Sequence, residues 1–550
     1  MIQLRDSRLV LLLIFLTTLI LIAGCSSEPV SLSTEGTAEG ATITPYTETA
    51  QEILQEASDT PAAVPTKETT ATAEIQATAT GSGGVSPETT KTPTAQSDAI
   101  GDDEAKKLMS DLLYSTEDGP AALARVVEAG DERFTAVFVE LLRAHQIGLL
   151  QSGLTGEDFL NAIEVLNDES PGDNWFDIIE WYGQTDLEPP PGFTRWKGRM
   201  LSLIDPRFAN FLQDEYPSNI RVEEIQWGGV PVDGIPALDQ PALLTADEAG
   251  YLEPGNVVFG ISLNGEARAY PRRILDWHEM ANDVIGDVPV SLAYCTLCGA
   301  AVAFDGRASD GNTYDFGSSG FLFRSNKLMY DRQTNTLWNQ LTGEPVLGEL
   351  ADSGIQLDIL PVVLTTWEEW RSLHPDTLVV DIDTGFNRDY RSGAAYGDYF
   401  AYEDTMFPVW QRSDLLQAKD QIYAVRINDV PKAYPIELLA EEKVVNDELG
   451  GEAIVLVAPG DVLQIEGESL RTGEVTYTAG SAVRAYARGE HTFEPGPEEE
   501  TLLDDTGVAW QVTEEALVGP GGEELERLGG HLAYWFGWYA FFPNTSVYGE

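Results

Sequence analysis

The sequence predicts an α+β protein in which a helical segment precedes two β-rich α+β units that resemble each other. Apolar residues recur at three- and four-residue spacing between 101 and 215, which is typical of helices. From about residue 220 the apolar runs become short, β-branched and bounded by Gly and Pro, which favours strands. Two stretches, 220–400 and 415–550, repeat the same motifs in the same order, which indicates a duplication.

The first residues have the pattern of a bacterial lipoprotein signal. Arg5 and Arg8 precede an apolar stretch over 9–22, and the sequence Leu-Ile-Ala-Gly then leads directly into Cys25. The last five residues resemble a lipobox, which implies that 1–24 are removed and that Cys25 becomes a lipid-modified N-terminus. We therefore predict a cell-envelope protein that is extracytoplasmic and anchored to the membrane by lipid. An uncleaved membrane anchor is the alternative, although the apolar stretch is short for a span.

The following segment, 25–100, is composed almost entirely of Ser, Thr, Ala, Glu, Gly and Pro. Such a composition cannot bury a core, so we predict a disordered tether. The next part, 101–215, is predicted to be a helical domain that acts as a spacer or binds a partner, since it holds no Cys and His145 is its one histidine. The helices are expected at Asp103–Leu113, Glu132–Leu150, Gly156–Leu166 and Trp175–Trp181.

The chain is strongly acidic, with 90 Asp and Glu against 33 Lys and Arg and a formal net charge of −57. Nucleic acid and anionic lipid headgroups are disfavoured as partners, because phosphate binding needs a basic face. No phosphate loop and no Gly-x-Ser-x-Gly hydrolase motif is present, so neither a nucleotide nor a serine nucleophile is predicted.

The duplication is visible in matched segments at a constant spacing. Residues 261–275 match 425–439, and Tyr434 follows Tyr270 by the same 164 residues that separate Asn446 from Asn282. A second set of matches recurs at a spacing of 168 residues, and it pairs Trp367, Trp370, Pro375 and Thr377 with Trp535, Trp538, Pro543 and Thr545. Features that both copies share are expected to serve turn geometry and core packing.

Differences between the copies point to function. His278 falls opposite Glu442, and Cys295 falls near Pro459 in a stretch where we expect the hairpin to persist without thiols. If the hairpin folds without cysteines in the second copy, then His278, Cys295 and Cys298 in the first copy serve chemistry.

The cysteines lie in an apolar run, 288–305, that reads as two strands joined by a Cys-x-x-Cys-Gly turn. Two thiolates three residues apart can chelate one ion, and the turn N–H groups can stabilise their charge. With His278 as a third ligand, Cys295 and Cys298 would form a set that suits copper or zinc. This soft-metal site in the first unit is our leading hypothesis.

Two alternatives use the same two sulfurs. Outside the cytoplasm the pair can act as a thiol–disulfide redox centre, or it can close as a structural disulfide in a non-catalytic surface scaffold or binding protein. Covalent haem is disfavoured because Gly299, not His, follows Cys298. The sequence leaves the choice between enzyme and binding protein open.

Further polar residues of the first unit are secondary candidates. Arg324, Asp331 and Arg332 could line a cleft beside the thiols, or they could fix loops. His374, which faces Phe542 in the second copy, is a reserve metal ligand.

The motifs of the first unit occur in one distinctive order. They are Trp-His-Glu, Asn-Asp, Tyr-Cys-x-Leu-Cys-Gly, Phe-Gly-Ser-Ser-Gly, Met-Tyr-Asp-Arg-Gln-Thr, Leu-Trp and His-Pro-Asp-Thr. This series closely resembles the prokaryotic domain-of-unknown-function family 3179, strongly over 220–400 and weakly over the second copy. The resemblance implies a secreted or lipid-anchored protein, but it implies no particular activity.

Overall fold

The structure is a computed structural model, and it describes residues 99–498 and 500–550. The predicted signal, Cys25 and nearly all of the predicted tether lie outside the described residues. The fold class is α+β, as predicted: helices come first, and a β-rich region with few helices follows. Among the described residues, no helix is long and apolar enough to cross a membrane.

Helices dominate up to residue 211 and then become sparse. The α-helices are α1 Asp102–Tyr114, α2 Gly119–Ala129, α3 Thr135–Gln146, α4 Gly156–Asn167, α5 Trp175–Gly183, α6 Phe193–Leu201, α7 Phe208–Phe211, α8 Arg272–His278, α9 Trp367–Leu373, α10 Gly397–Ala401, α11 Ile436–Glu442 and α12 Trp535–Tyr539. The four predicted helices correspond to α1, α3, α4 and α5. Helix α4 begins at a capping box in which Thr155 accepts from the Asp158 N–H.

The strands of the first unit form three sheets. They are β1 Ile225–Trp227, β2 Leu238–Asp239, β3 Leu243–Thr245, β4 Val257–Leu263, β5 Glu266–Pro271, β6 Met280–Ile285, β7 Val288–Cys295, β8 Ala300–Asp305, β9 Phe316–Phe323, β10 Asn326–Asp331, β11 Leu337–Asn339, β12 Pro345–Leu347, β13 Ile359–Leu360, β14 Val363–Thr366 and β15 Leu378–Val380. The orders are β1-β9-β10-β11-β12, β13-β8-β7-β6-β2 and β14-β4-β5-β15-β3.

The second unit also forms three sheets. Its strands are β16 Gln421–Ile427, β17 Val430–Pro435, β18 Val444–Leu449, β19 Glu452–Val457, β20 Leu463–Ser469, β21 Gly473–Gly480, β22 Arg484–Ala487, β23 Phe493–Pro495, β24 Thr501–Asp504, β25 Ala509–Val512, β26 Ala516–Val518, β27 Glu524–Leu528, β28 His531–Tyr534 and β29 Ser546–Val547. The orders are β28-β16-β17-β29, β18-β19-β22-β27-β26-β25-β24-β23 and the separate pair β20-β21.

The two units repeat both the elements and the bonds between them. The order β4-β5-α8-β6-β7 recurs as β16-β17-α11-β18-β19. The Tyr270 hydroxyl donates to Asp283 at 2.8 Å, and the Tyr434 hydroxyl donates to Asp447 at 2.9 Å. These matching bonds support the duplication inferred from the sequence, and they assign the shared Tyr and Asp to the scaffold.

One expectation about the second unit is wrong. In the first unit a five-stranded sheet contains the tight hairpin β7–β8, with Cys295 paired to Ala300 at its end. In the second unit β19 pairs with β22, and the chain between them leaves the sheet to form the separate hairpin β20–β21. The second copy therefore replaces the Cys turn with an inserted hairpin, and it does not show that the tight turn folds without thiols.

The hydrophobic cores cross the expected boundaries. One core joins the two units, with Tyr294 and Cys298 of the first unit in the same cluster as Trp535 of the second. Another joins helices α1–α7 to the sheet that contains β9 and β10, where Phe208 of α7 stacks on Phe321 at a centroid distance of 4.7 Å. The helical segment thus covers one face of a sheet of the first unit.

Candidate functional site: a buried pair of thiols

The two cysteines lie at the end of the hairpin β7–β8. Val288–Cys295 and Ala300–Asp305 are antiparallel, and Gly299 closes the turn with a φ of 61°, a conformation that glycine adopts without strain. Both cysteines are free, with exposures of 1% for Cys295 and 0% for Cys298. The structure therefore presents two sealed thiols rather than a closed disulfide.

Two buried amides fix the base of this turn. The Gln340 Nε2 donates to the carbonyl of Ala293 at 2.9 Å and to that of Ala300 at 3.0 Å, which clamps both strands. The Asn326 Nδ2 donates to the Gln340 Oε1 at 2.9 Å and contacts the Cys298 Sγ at 3.4 Å. The Cys298 thiol in turn donates to the Ser325 carbonyl at 3.4 Å. Cys298 is thus held by β10 as well as by its own hairpin.

The two thiols differ in acidity. Burial raises the pKa of Cys295, but interactions with the Cys298 thiol and with the backbone N–H groups of Lys327 and Cys298 outweigh it, so the pKa lies below its usual value. Burial and the adjacent Cys295 sulfur raise the pKa of Cys298 well above its usual value. Cys295 is therefore the more acidic thiol of the pair.

A buried ion pair lies next to the turn. The Lys327 Nζ is 3.3 Å from the Glu279 Oε2, and the side chains are 4% and 8% exposed. The hydroxyl of Thr296, a residue between the two cysteines, donates to the Glu279 Oε1 at 2.7 Å. Glu279 has a φ of 53°, a left-handed conformation that costs a non-glycine residue free energy. The Cys turn is therefore tied through Thr296 to a charged group that is itself fully paired.

The end of the first unit and the second unit cover the turn. The Tyr399 hydroxyl donates to the Leu297 carbonyl at 2.7 Å, and the Tyr534 backbone N–H donates to the Cys298 carbonyl at 2.7 Å. A β-carbon on Gly299 would lie 3.1 Å from the Tyr534 ring, which shows how closely that ring packs. The turn is thus covered by the end of the first unit and by the second unit.

His278 is occupied elsewhere. Its Nδ1 lies 2.8 Å from the Pro236 carbonyl and its Nε2 lies 2.7 Å from the Tyr390 hydroxyl, so both ring nitrogens have protein partners. Burial lowers the pKa of His278 to about 4, which keeps the ring neutral. Within residues 99–498 and 500–550, no group of three or more His, Cys, Asp or Glu could hold a metal ion. The structure brings Cys295 and Cys298 together without His278.

The three residues proposed to line a cleft have separate partners. Arg324 pairs with Glu224 at 3.0 Å, and Arg332 pairs with Asp239 at 2.7 Å on the surface. Asp331 is buried and accepts hydrogen bonds from the Trp338 indole at 2.9 Å and from the N–H and hydroxyl groups of the turn that follows it. Arg324 precedes β10 and Asp331 ends it, and each has its own partners. They therefore hold loops in place and do not line a shared cleft.

His374, the reserve ligand, packs as an aromatic residue. Its ring lies 4.2 Å from that of Trp370, and in the second unit Phe542 lies 4.1 Å from Trp538 in the same way. Burial lowers the pKa of His374. The equivalence with a phenylalanine favours a packing role.

Sequence reasoning missed a buried polar cluster that includes Tyr294, the residue before Cys295. Arg272, Asp276 and Tyr294 are 3%, 4% and 1% exposed, and the Arg272 Nε, Asp276 Oδ1 and Tyr294 hydroxyl have no hydrogen-bond partner in the part of the chain that the structure describes. The Arg272 guanidinium lies over the rings of Phe400 at 4.6 Å and Tyr477 at 5.4 Å. Burial raises the pKa of Asp276 to about 7, which the nearby Arg272 opposes.

The duplication carried a signal for this cluster. At the 164-residue spacing, Arg272, Asp276 and Tyr294 correspond to apolar residues of the second copy, namely Ile436, Ala440 and Ala458. Polar groups that are buried in one copy and replaced by aliphatic ones in the other are not needed for the shared scaffold. The same comparison that singled out the cysteines could have found them.

The fold and this site together define an α+β protein that consists of two similar units and buries two thiols near the contact between them. The family described as "Protein of unknown function (DUF3179)" matches residues 232–545. The chain belongs to this family. The matched residues include parts of both units. No curated protein and no solved structure matches the chain.

Proposed function

We propose that Cys295 and Cys298 form a thiol–disulfide redox centre. The observation that carries the proposal is geometric: both cysteines are free in one Cys-x-x-Cys turn, and their side chains are hydrogen-bonded to each other. In thiol–disulfide exchange the more acidic thiol attacks first, and within this pair the pKa of Cys295 is lowered and that of Cys298 is raised.

The reaction would consume one low-molecular-weight disulfide. The Cys295 thiolate attacks one sulfur of that disulfide, which forms a mixed disulfide and releases the first external thiolate. Cys298 then loses its proton and attacks the Cys295 sulfur, which forms the internal disulfide and releases the second thiolate. Counted from the dithiol, the pair loses two electrons and two protons, one proton when Cys295 ionises and one from Cys298, and the external disulfide takes them up to become two thiols. Because both sulfurs are buried, we expect the oxidant to be a small molecule rather than a protein disulfide.

A second candidate follows from the same two donors. Thiolates suit soft metals such as copper(I), whereas zinc takes four ligands in its structural sites, more than two cysteines supply. With His278 occupied, two sulfurs favour copper(I) over zinc. The soft-metal site is therefore proposed with two ligands, Cys295 and Cys298, and without His278.

One set of samples separates the two functions. The full chain is purified reduced and without oxygen, beside Cys295→Ser, Cys298→Ser and the double variant. Each sample is treated with oxidised glutathione or loaded with copper(I), and is then measured by intact mass and by elemental analysis. The redox function predicts that the wild type alone loses two hydrogens reversibly. The metal function predicts about one copper per wild-type chain and much less in the double variant. An unchanged wild-type mass after treatment would overturn the redox function, and equal copper in all samples would overturn the metal function.

We also propose that the protein is extracytoplasmic and anchored to the cell envelope through Cys25. The lipobox-like residues before Cys25 support this location, and the strong acidity of the chain makes nucleic acid an improbable partner. Labelled fatty acid should be incorporated into the wild type and not into Cys25→Ser. Equal labelling of both would contradict the anchor.

A further inference from the structure

The second unit differs from the first where it meets the thiols. Helix α12 begins with the segment Trp535-Phe-Gly537-Trp538. The corresponding segment of the first unit has Glu369 in place of Gly537. Tyr534, which precedes the helix, corresponds to Thr366. The two tryptophans are shared and belong to the scaffold. Gly537 and Tyr534 are particular to the copy that lacks the cysteines.

Gly537 lies directly against Cys298. A β-carbon at position 537 would lie 2.9 Å from the Cys298 Cβ and 3.2 Å from its Sγ. The first distance is shorter than van der Waals contact allows, and the second is tight. A residue with a side chain would therefore displace Cys298, and glycine leaves the space that the thiol occupies.

Tyr534 holds the adjacent residues of the turn. Its N–H bonds the Cys298 carbonyl at 2.7 Å, and its ring packs against Gly299, where an added β-carbon would be 3.1 Å away. The side chain is 2% exposed, so it closes this side of the turn to water. Tyr534 and Gly537 thus contact the turn at consecutive residues, Gly299 and Cys298.

We infer that the second unit is a working part of the dithiol site, with Gly537 positioning the Cys298 thiol and Tyr534 sealing the turn. The first copy carries the two cysteines, and the second copy carries Tyr534 and Gly537, which pack against their turn. The inference deepens the proposed redox function and rests on it for the role of the pair.

The positioning role is tested with Gly537→Ala in the full chain. The new methyl group crowds both the Cβ and the Sγ of Cys298, so it moves this sulfur relative to Cys295. We expect the equilibrium constant with oxidised glutathione to change about tenfold, because disulfide formation depends on the relative position of the two sulfurs. Gly460→Ala is the matched control, because an added β-carbon there meets nothing within 4 Å. An unchanged equilibrium in a folded Gly537→Ala protein would overturn the positioning role.

A second variant keeps the inference testable if Gly537→Ala does not fold. Tyr534→Leu removes the ring over Gly299, and we expect the thiols to be alkylated by iodoacetamide about tenfold faster at fixed pH. Tyr548→Leu is the control, since that tyrosine contacts Tyr434 and Glu442 of its own unit. Equal alkylation rates in wild type and Tyr534→Leu would overturn the sealing role of Tyr534. Alkylation needs no disulfide, so it tests the sealing role even if the glutathione experiment shows that the redox function is wrong.

Discussion

Asp276 is buried in a long ion pair with Arg272. Its Oδ1 lies 3.8 Å from the Arg272 Nε, and neither atom has a hydrogen-bond partner among the described residues. Burial raises the pKa of the carboxyl from 3.8 to about 7, so the folded protein binds this proton more tightly than the unfolded chain does. The stability from this group is complete below about pH 4 and is lost as the pH rises towards 7.

Asp276→Asn should remove that pH dependence. A shift of this size corresponds to about 4 kcal/mol, so the stability of the variant relative to wild type should rise by up to that amount between pH 4 and 7. Urea unfolding across this range measures the difference. Asp429→Asn, at an exposed position of the second unit, controls for the loss of one charge. If the unfolding free energies of wild type and Asp276→Asn change in parallel with pH, the pKa of Asp276 is not raised as described.

The two thiols should also differ in reactivity. Because the pKa of Cys295 is lowered and that of Cys298 raised, alkylation of Cys295 should begin at lower pH than that of Cys298. Peptide mass spectrometry after timed iodoacetamide treatment distinguishes the two positions. Coincident pH profiles would show that the asymmetry is absent.

At the residue scale, the sequence located the cysteines because a local spacing signals them. His278 could not be placed, since its partners Pro236 and Tyr390 are distant in the chain and only the tertiary fold brings them to the ring. Arg272 and Asp276 were missed because no motif marks them, although comparison of the copies does.

At the element scale, the Trp-x-x-Trp segments show what the copies share. The Trp370 indole donates to the Thr377 hydroxyl at 2.9 Å, and the Trp538 indole donates to the Thr545 hydroxyl at 3.0 Å. Helices α9 and α12 are thereby tied, in the same manner, to the residues that directly precede strands β15 and β29. Short helices of this kind depend on such contacts, because their own propensity is insufficient.

Thr377→Val and Thr545→Val should have similar costs. Each variant keeps the shape of the side chain and leaves a buried indole N–H unpaired, at about 1–3 kcal/mol. Chemical unfolding of the two variants measures both losses in one protein. A cost in one unit and none in the other would contradict the equivalence of the two segments.

The strands around the cysteines were predictable from their apolar runs, and helices α1, α3, α4 and α5 from their periodicity. The inserted hairpin β20–β21 was not, because the expected alignment placed a short turn there. Its pairing with itself, rather than with β19 or β22, depends on contacts that no local pattern encodes.

At the scale of the whole molecule, the helical segment is part of the folded core. Phe208 stacks on Phe321 at 4.7 Å, and Phe211 contacts Tyr330 at 5.2 Å, so removal of the helices would expose aromatic residues of β9 and β10. The sequence suggested a spacer or partner-binding domain because the segment lacks catalytic residues, and composition alone does not show what a helix covers.

A chain that starts at residue 220 should therefore fold poorly. It loses the cover of an apolar sheet face, and we expect aggregation where the chain from residue 99 is soluble and unfolds cooperatively. Size-exclusion chromatography and thermal unfolding of the two chains make the comparison. A monomeric, cooperatively folded 220–550 would show that the helices are dispensable.

We propose that the fold encloses a reversible pair of thiols at Cys295 and Cys298. The most direct measurement is the redox state of this pair in intact cells, trapped by acid and read by differential alkylation and mass spectrometry. We predict that a pulse of a small disulfide converts the pair from dithiol to disulfide and that a reductant restores it. A pair that stays entirely reduced or entirely oxidised through both treatments would contradict the redox function.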